Sequence, residues 1–348
     1  MLKEAFLYKK LDKNKVQCLA CKHKCIIPKG KTGICATRGN EGGKLYLYTY
    51  SYPAAINLDP IEKKPLFHFY PGTWVYSLGT FGCNFRCSFC QNWELSQFPK
   101  KESKFDASKA RQLIQSNSTY LPPEKAVENA LYYRADGIAY TYNEPTIWAE
   151  YAHDIAEIAK KYGLFNVFVS SGYETEEVLD YLDAIDAYNI DLKAFSNEFY
   201  LKYCGTKLDN VLDTIKSIYK RKKWIEITTL VIPGENDSEE QLRGIAEFIK
   251  YELNKDVPWH ITRFHPDYKM LDKEVTPLQT LEKAFNIGKE VGLNYIYIGN
   301  VLGTDKETTY CPKCGKPVIE RYGFRIMSYH IKDGKCEYCK AKIAGKFR

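Results

Sequence analysis

Between residues 75 and 298 short apolar runs alternate with longer amphipathic stretches, and that rhythm restricts the chain to one broad architecture. Apolar runs of strand length fall at 75–80, 137–142, 164–170, 187–192, 224–232, 258–264 and 294–298. Helical spacing of the apolar residues predicts helices over 123–134, 147–162, 174–183, 208–222, 238–253 and 278–291. A polar connection over 100–118 is expected to be a mobile loop. Six or seven strand-then-helix units of this length build a parallel sheet with outer helices, as an open doubly wound sheet or as a barrel. In parallel barrels the chemistry gathers at the C-terminal edge of the strands. Those edges carry Asn143-Glu144, Ser170-Ser171-Gly172, Asp191-Leu192-Lys193, the run Pro233-Gly234-Glu235-Asn236-Asp237, and Arg263-Phe264-His265.

Within and around this series lie twelve cysteines. The N-terminus lacks an apolar core of signal-peptide length, and no run reaches the roughly 18–20 apolar residues of a membrane span. The chain therefore reads as cytoplasmic and not membrane-bound. In that compartment cysteines serve as metal ligands or catalytic thiols before they serve as disulfides. They partition into Cys18, Cys21, Cys25 and Cys35; then Cys83, Cys87 and Cys90; then Cys311, Cys314, Cys336 and Cys339, with Cys204 left as an ordinary buried thiol. The division this suggests is a cysteine-rich lead-in over 1–70, the repeating core over 71–304, and a small module over 305–348.

Each group has its own chemistry. Cys83, Cys87 and Cys90 sit in one short loop after the first strand, where Gly82 lets the chain turn; three thiolates so placed can hold three irons of a cubane cluster and leave the fourth open. At the C-terminus Cys311-Pro312-Lys313-Cys314 and Cys336-Glu337-Tyr338-Cys339 are knuckles separated by 21 residues, the layout of a zinc ribbon. The N-terminal four suit zinc or an auxiliary iron–sulfur cluster. His23 either replaces one of these thiolates or faces solvent among lysines. The net charge of +7 is spread along the chain and indicates a solvated surface. A nucleic-acid partner stays open only because zinc ribbons also bind nucleic acids.

Cys-x-x-x-Cys-x-x-Cys with an aromatic before its last cysteine resembles the signature of the radical S-adenosylmethionine superfamily. The resemblance implies a partial (β/α)6 barrel with cysteine-rich metal modules at both ends. It also implies a 4Fe–4S cluster on Cys83, Cys87 and Cys90, with S-adenosylmethionine on the open iron. Phe89 would pack beside cluster and adenine. Asn143-Glu144-Pro145 is similar to the segment that holds the methionine amino group, with Asn143 where glycine is usual. Asp191-Leu192-Lys193 resembles the triplet of glycyl-radical-enzyme activators that lies near the methionine carboxylate and ribose. Those activators carry an acidic residue before the glycine of the third strand; Val169-Ser170-Ser171-Gly172 has none, which leaves Ser171 as a cofactor contact. His265 is a further candidate for the ribose or substrate.

Longer stretches resemble the radical enzyme of the AmmeMemoRadiSam system, a relative of pyruvate formate-lyase activating enzymes. They are residues 59–72, Cys90-Gln91-Asn92-Trp93-Glu94, residues 225–230 and residues 259–266. The partners this implies are Memo-type and AMMECR-type proteins, with a reductant such as ferredoxin or flavodoxin. The expected activity is hydrogen abstraction by a 5′-deoxyadenosyl radical from a protein, nucleoside or metabolite, glycyl-radical activation being one form of it. The competing reading is a non-catalytic metal module that docks nucleic acid or protein.

Overall fold

A computed structural model describes residues 2–301 and 303–348. The fold is mixed α/β with a central parallel sheet, and by compactness the chain forms two units: Met1–Asp59 with Trp74–Asp186, and Pro60–Thr73 with Ala187–Arg348.

In the first unit, strands β1 (Trp74–Gly79), β2 (Gly137–Tyr140) and β3 (Phe165–Ser170) lie parallel. Gly137 pairs with both Val75 and Phe165, and Tyr140 with both Leu78 and Phe168. These strands are buried on both faces, as unbroken apolar runs require. Helices α1 (Trp93–Ser103), α2 (Ala107–Ser116), α3 (Pro123–Tyr132), α4 (Ala149–Lys161) and α5 (Glu176–Tyr181) connect or follow them.

The polar connection expected over 100–118 is instead the end of α1 and all of α2. Asp106 caps α2 by accepting from the Lys109 amide (2.9 Å). Ala107, Ala110 and Ile114 then face inward and pack with Tyr48 and Phe81. Two of the three buried residues are alanines, so the apolar stripe is too thin to stand out among its lysines and glutamines.

The N-terminal segment folds as small antiparallel sheets, one of them Tyr8–Lys10, Val16–Cys18 and Ile26–Ile27. It has a core of its own in Val16, Ile27, Leu45 and Leu47, all essentially inaccessible. Its clasp is Arg38 against Glu150 of α4, both about 1% exposed and joined through both terminal guanidinium nitrogens. Glu150 also accepts from the amides of Phe6 (3.2 Å) and Leu7 (3.3 Å). Removing one member of such a pair costs about 3–5 kcal/mol, because the other charge is left buried alone.

The second unit carries four more parallel strands: β4 (Ala187–Asp191), β5 (Trp224–Val231), β6 (Trp259–Arg263) and β7 (Ile296–Gly299). Helices α6 (Leu208–Lys220), α7 (Glu239–Phe248) and α8 (Leu278–Val291) go with them. Ser238 caps α7, and Gly292, at φ +96°, ends α8. All seven expected strands are present. The C-terminal ribbon, built on Pro317–Tyr322 and Arg325–Tyr329, shares one apolar cluster with Phe67, Tyr295 and Tyr297.

Beside that cluster lies a buried polar network. Glu226 accepts from the amides of Phe67 (3.0 Å) and His68 (2.8 Å), from Trp224 Nε1 (2.9 Å) and from His260 Nε2 (2.7 Å). Burial lowers His68 to about 4, so its ring is neutral. Nδ1 then donates to the Ala344 carbonyl (2.6 Å), and Nε2 accepts from the Tyr297 hydroxyl. Three of the stretches that carry the family resemblance, around His68, Glu226 and His260, thus meet in one fully partnered network. Their shared task is to hold residues 60–73 against β5, β6 and β7.

Candidate active site

β1 delivers the chain into the loop of Cys83, Cys87 and Cys90. Gly82 makes the turn at φ +87°; a Cβ there would lie 2.4 Å from Thr37 Cγ2 and 2.5 Å from the Cys35 carbonyl oxygen. Only glycine fits. Asn143, at the end of β2, fastens the loop from the other side: its Nδ2 donates to Thr80 Oγ1 (3.1 Å) and the Gly82 carbonyl (2.8 Å), and its Oδ1 accepts from the Thr80 amide (3.2 Å). Asn143, expected beside the cofactor's amino group, thus also positions the cysteine loop.

Cys83 and Cys87 are buried and Cys90 partly so. The Phe85 amide donates to Cys83 Sγ (3.3 Å), and Cys90 Sγ lies 3.2 Å from Ser96 Oγ. Phe89 is buried within the loop. Burial pushes the Cys83 thiol well up, opposed by Lys100 and reinforced by Glu144, Cys87 and Cys90. Such a thiol ionises only against a strong positive centre, which an iron cluster provides. Three thiols in one turn, two of them buried, fit three corners of an iron–sulfur cluster. Lys100, one of the residues assigned to a mobile loop by sequence, projects from α1 to donate to the Phe85 carbonyl and to Gln97 Oε1 (3.2 Å). Burial lowers its pKa, while Cys83, Cys35, Cys87 and Cys90 favour its charge.

Glu144 follows Asn143 and is fully buried. Its Oε1 takes the Thr146 amide (3.1 Å) and the hydroxyls of Thr146 (2.7 Å) and Ser170 (2.8 Å). Oε2 takes the Ser171 amide (2.8 Å), which leaves that oxygen a lone pair for one further donor. Ser171 thus acts on Glu144 through its backbone. Glu174, the acid that follows Gly172 instead of preceding it, carries no signal in its spacing. Thr146 Oγ1 (2.8 Å) and Ser170 Oγ (2.5 Å) reach Glu174 as well as Glu144. Two hydroxyl protons cannot serve four contacts; burial, and then the charge of Glu144, raise Glu174 to about 7, and a proton held there supplies a third.

In the second unit Lys193 Nζ donates to Asp191 Oδ2 (2.7 Å). The Asn236 side chain braces this corner through the carbonyls of Lys193 (2.6 Å) and Leu230 (2.8 Å). His265 is largely exposed and 3.7 Å from Asp267.

The C-terminal thiols of Cys311, Cys314, Cys336 and Cys339 lie within 4.8 Å of one another, with Cys311–Cys339 at 3.6 Å and Cys314–Cys336 at 3.8 Å. Tetrahedral bonds of about 2.3 Å to one ion put thiolates roughly 3.8 Å apart, so this group fits a single metal ion. Cys18, Cys21 and Cys35 are buried and Cys25 partly so. His23 does not face solvent: its Nε2 donates to the Asn84 carbonyl (3.0 Å), and its ring lies against Tyr173. Cys204 is fully buried.

The profile described as Radical SAM superfamily matches residues 77–248. An uncharacterized protein of Methanocaldococcus jannaschii is 45% identical over 344 residues, covering 98% of this chain and 99% of the relative. The pyruvate formate-lyase-activating enzyme of Clostridium pasteurianum is 23% identical over 232 residues, covering 60% of this chain and 88% of that enzyme. Among solved structures, a radical SAM methyltransferase from Sphaerobacter thermophilus shares the fold at a TM-score of 0.50 and 13% identity, over 66% of this chain and 67% of that one. The chain belongs to the radical SAM superfamily, and it is an enzyme of that class. No helix among the described residues is long and apolar enough to cross a membrane.

Proposed function

We propose that the protein holds a 4Fe–4S cluster on Cys83, Cys87 and Cys90, binds S-adenosylmethionine beside it, and abstracts hydrogen from a protein, nucleoside or metabolite. Cluster and cofactor together supply reductive cleavage of the sulfonium to methionine and a 5′-deoxyadenosyl radical. The observation that carries this reading is the way β2 ends. Asn143 fixes the thiol loop, and the next side chain sets a carboxylate within electrostatic reach of Cys83. The open lone pair on Glu144 Oε2 suits the methionine ammonium, a charge-assisted contact. By the family resemblance, Asp191 and Lys193 serve the methionine carboxylate and ribose.

Two narrower assignments extend this proposal. Activation of a glycyl-radical protein is supported by the similarity to a pyruvate formate-lyase-activating enzyme. Action alongside Memo-type and AMMECR-type proteins, with a ferredoxin or flavodoxin as reductant, is supported by the stretches around Phe67 and His260. Zinc is the ion we assign to the C-terminal thiols, on their tetrahedral spacing.

Anaerobically reconstituted protein given dithionite and S-adenosylmethionine should release 5′-deoxyadenosine, and Cys87→Ala should abolish it. Intact protein that binds iron but makes no deoxyadenosine would refute the catalytic reading and leave the metal module. Adding a Memo-type protein should raise the yield if that partner presents substrate. A glycine-centred radical signal on an added polypeptide would identify an activase.

A further inference from the structure

The N-terminal thiols were compatible by sequence with zinc or with an iron–sulfur cluster, and their arrangement separates the two. The first three, Cys18-x-x-Cys21-x-x-x-Cys25, repeat the central spacing in reverse order. Cys18 and Cys25 face each other across the hairpin, the Cys18 amide donating to the Cys25 carbonyl (2.9 Å). A tight turn from Cys21 to Lys24 closes that hairpin. The turn holding Cys35 comes down on it at Gly33, where a Cβ would stand 3.6 Å from Cys25 Sγ. Every pair among the four thiols is within electrostatic reach.

Convergent as they are, they are not packed for one ion. Among the described residues, the C-terminal four are the only set of three or more Cys, His, Asp or Glu ligand atoms within 4.8 Å of one another. The N-terminal four share this wider spacing with Cys83, Cys87 and Cys90. Thiolates on different corners of an iron–sulfur cube must stand apart by the width of the cube, whereas thiolates on one zinc ion cannot.

We infer that Cys18, Cys21, Cys25 and Cys35 hold a second iron–sulfur cluster, adjacent to the one on Cys83, Cys87 and Cys90. The two ligand loops touch: the Cys35 carbonyl and Thr37 methyl occupy the space a Cβ on Gly82 would need. His23, between Cys21 and Cys25, donates to the carbonyl of Asn84, next to Cys83. Lys100 is the shared counter-charge, within electrostatic reach of Cys35 in one group and of all three cysteines in the other. Four protein ligands close this second cluster, so S-adenosylmethionine has no iron to bind there.

The test is metal counting and spectroscopy on full-length, anaerobically reconstituted protein. Wild type should carry about eight irons and about eight sulfides, with about one zinc. The triple variant Cys83→Ala, Cys87→Ala, Cys90→Ala should keep about half the iron, with an EPR signal indifferent to S-adenosylmethionine. That variant leaves the N-terminal ligands intact, so it tests the second cluster even if the proposed catalysis is wrong. An iron-free triple variant carrying about two zincs would overturn the inference. Mössbauer spectra of wild type need no variant: two cubane components are expected, and only one should respond to S-adenosylmethionine. A single component would overturn it. Adjacency has its own readout. The fully reduced protein should show spin-coupled broadening that is missing from the triple variant and from Cys21→Ser, Cys25→Ser; simple additivity of those two spectra would refute contact between the sites.

Discussion

The C-terminal ribbon and the Cys83 loop both gather thiols, but they surround them differently. In the ribbon, Cys311 and Cys336 belong to an apolar cluster with Val318, Ile319 and Tyr297, and the four sulfurs close on one another. Around the loop, the neighbours are a largely buried ammonium, two buried carboxyl groups, and an asparagine bonded to the Gly82 carbonyl and to Thr80. A group that closes on itself and packs in a core contributes stability. A group left open, with costly polar groups buried beside it, is arranged for a ligand.

The largest test of that distinction is Cys336→Ser. Losing a structural metal removes on the order of 10 kcal/mol of local folding energy, and the unfolding midpoint should fall by on the order of 10 °C. Deoxyadenosine production at low temperature should nevertheless persist; if it vanishes with the metal, the ribbon is not merely structural. Gly82→Ala should do the reverse. Its left-handed backbone and the Cys35 carbonyl at 2.5 Å forbid a methyl, so most of the S-adenosylmethionine-responsive EPR signal should go while the C-terminal metal stays. An unchanged spectrum would mean the loop is looser than these contacts imply.

Glu174→Gln reads the polar side alone. Glu174 is raised by burial and by Glu144 from 4.5 to about 7, so the native state binds the extra proton. Its contribution is complete below pH 4.5 and is lost as pH climbs through about 7. Glutamine carries no charge to bury, so urea midpoints at pH 8 should favour the variant by roughly 3 kcal/mol, with the difference closing near pH 4.5. Equal offsets at both values would show that Glu174 does not titrate in this range. The smallest effect is expected for Lys100→Met. A charge near a partly hydrated site is worth roughly 1–4 kcal/mol, so removing this cation should make the Cys83 cluster harder to reduce. Redox titration followed by EPR should show a lower potential, and an unchanged one would place Lys100 outside the cluster's field.

Much of this was legible from residues alone. Seven strands and six of the helices follow from apolar spacing, because a parallel sheet buried on both faces leaves little choice of residue. The three cysteine groups announce themselves by spacing. Polar partnerships across long separations are harder to see. Lys100 and α2 looked like a loop because a helix that buries two alanines and one isoleucine has almost no apolar signature. Glu174 was invisible because its role depends on the Thr146 and Ser170 hydroxyls standing between two carboxyls. The bonds of Asn143 to Thr80 and Gly82 depend on how the loop folds back, which spacing alone does not show. The His68–Glu226–His260 network was present as conspicuous words in the sequence, but not as a sentence.

The clasp of Arg38, Glu150 and the amides of Phe6 and Leu7 also sets an order of events during synthesis. Glu150 lies 144 and 143 positions after the two amides it accepts from. The ribosome therefore makes the N-terminal thiols early, and they wait for their clasp until residue 150 has emerged. Through that interval they are open, reactive sulfurs on a nascent chain. A clasped N-terminal segment can therefore form only once α4 has been made, while more than half of the chain is still to come.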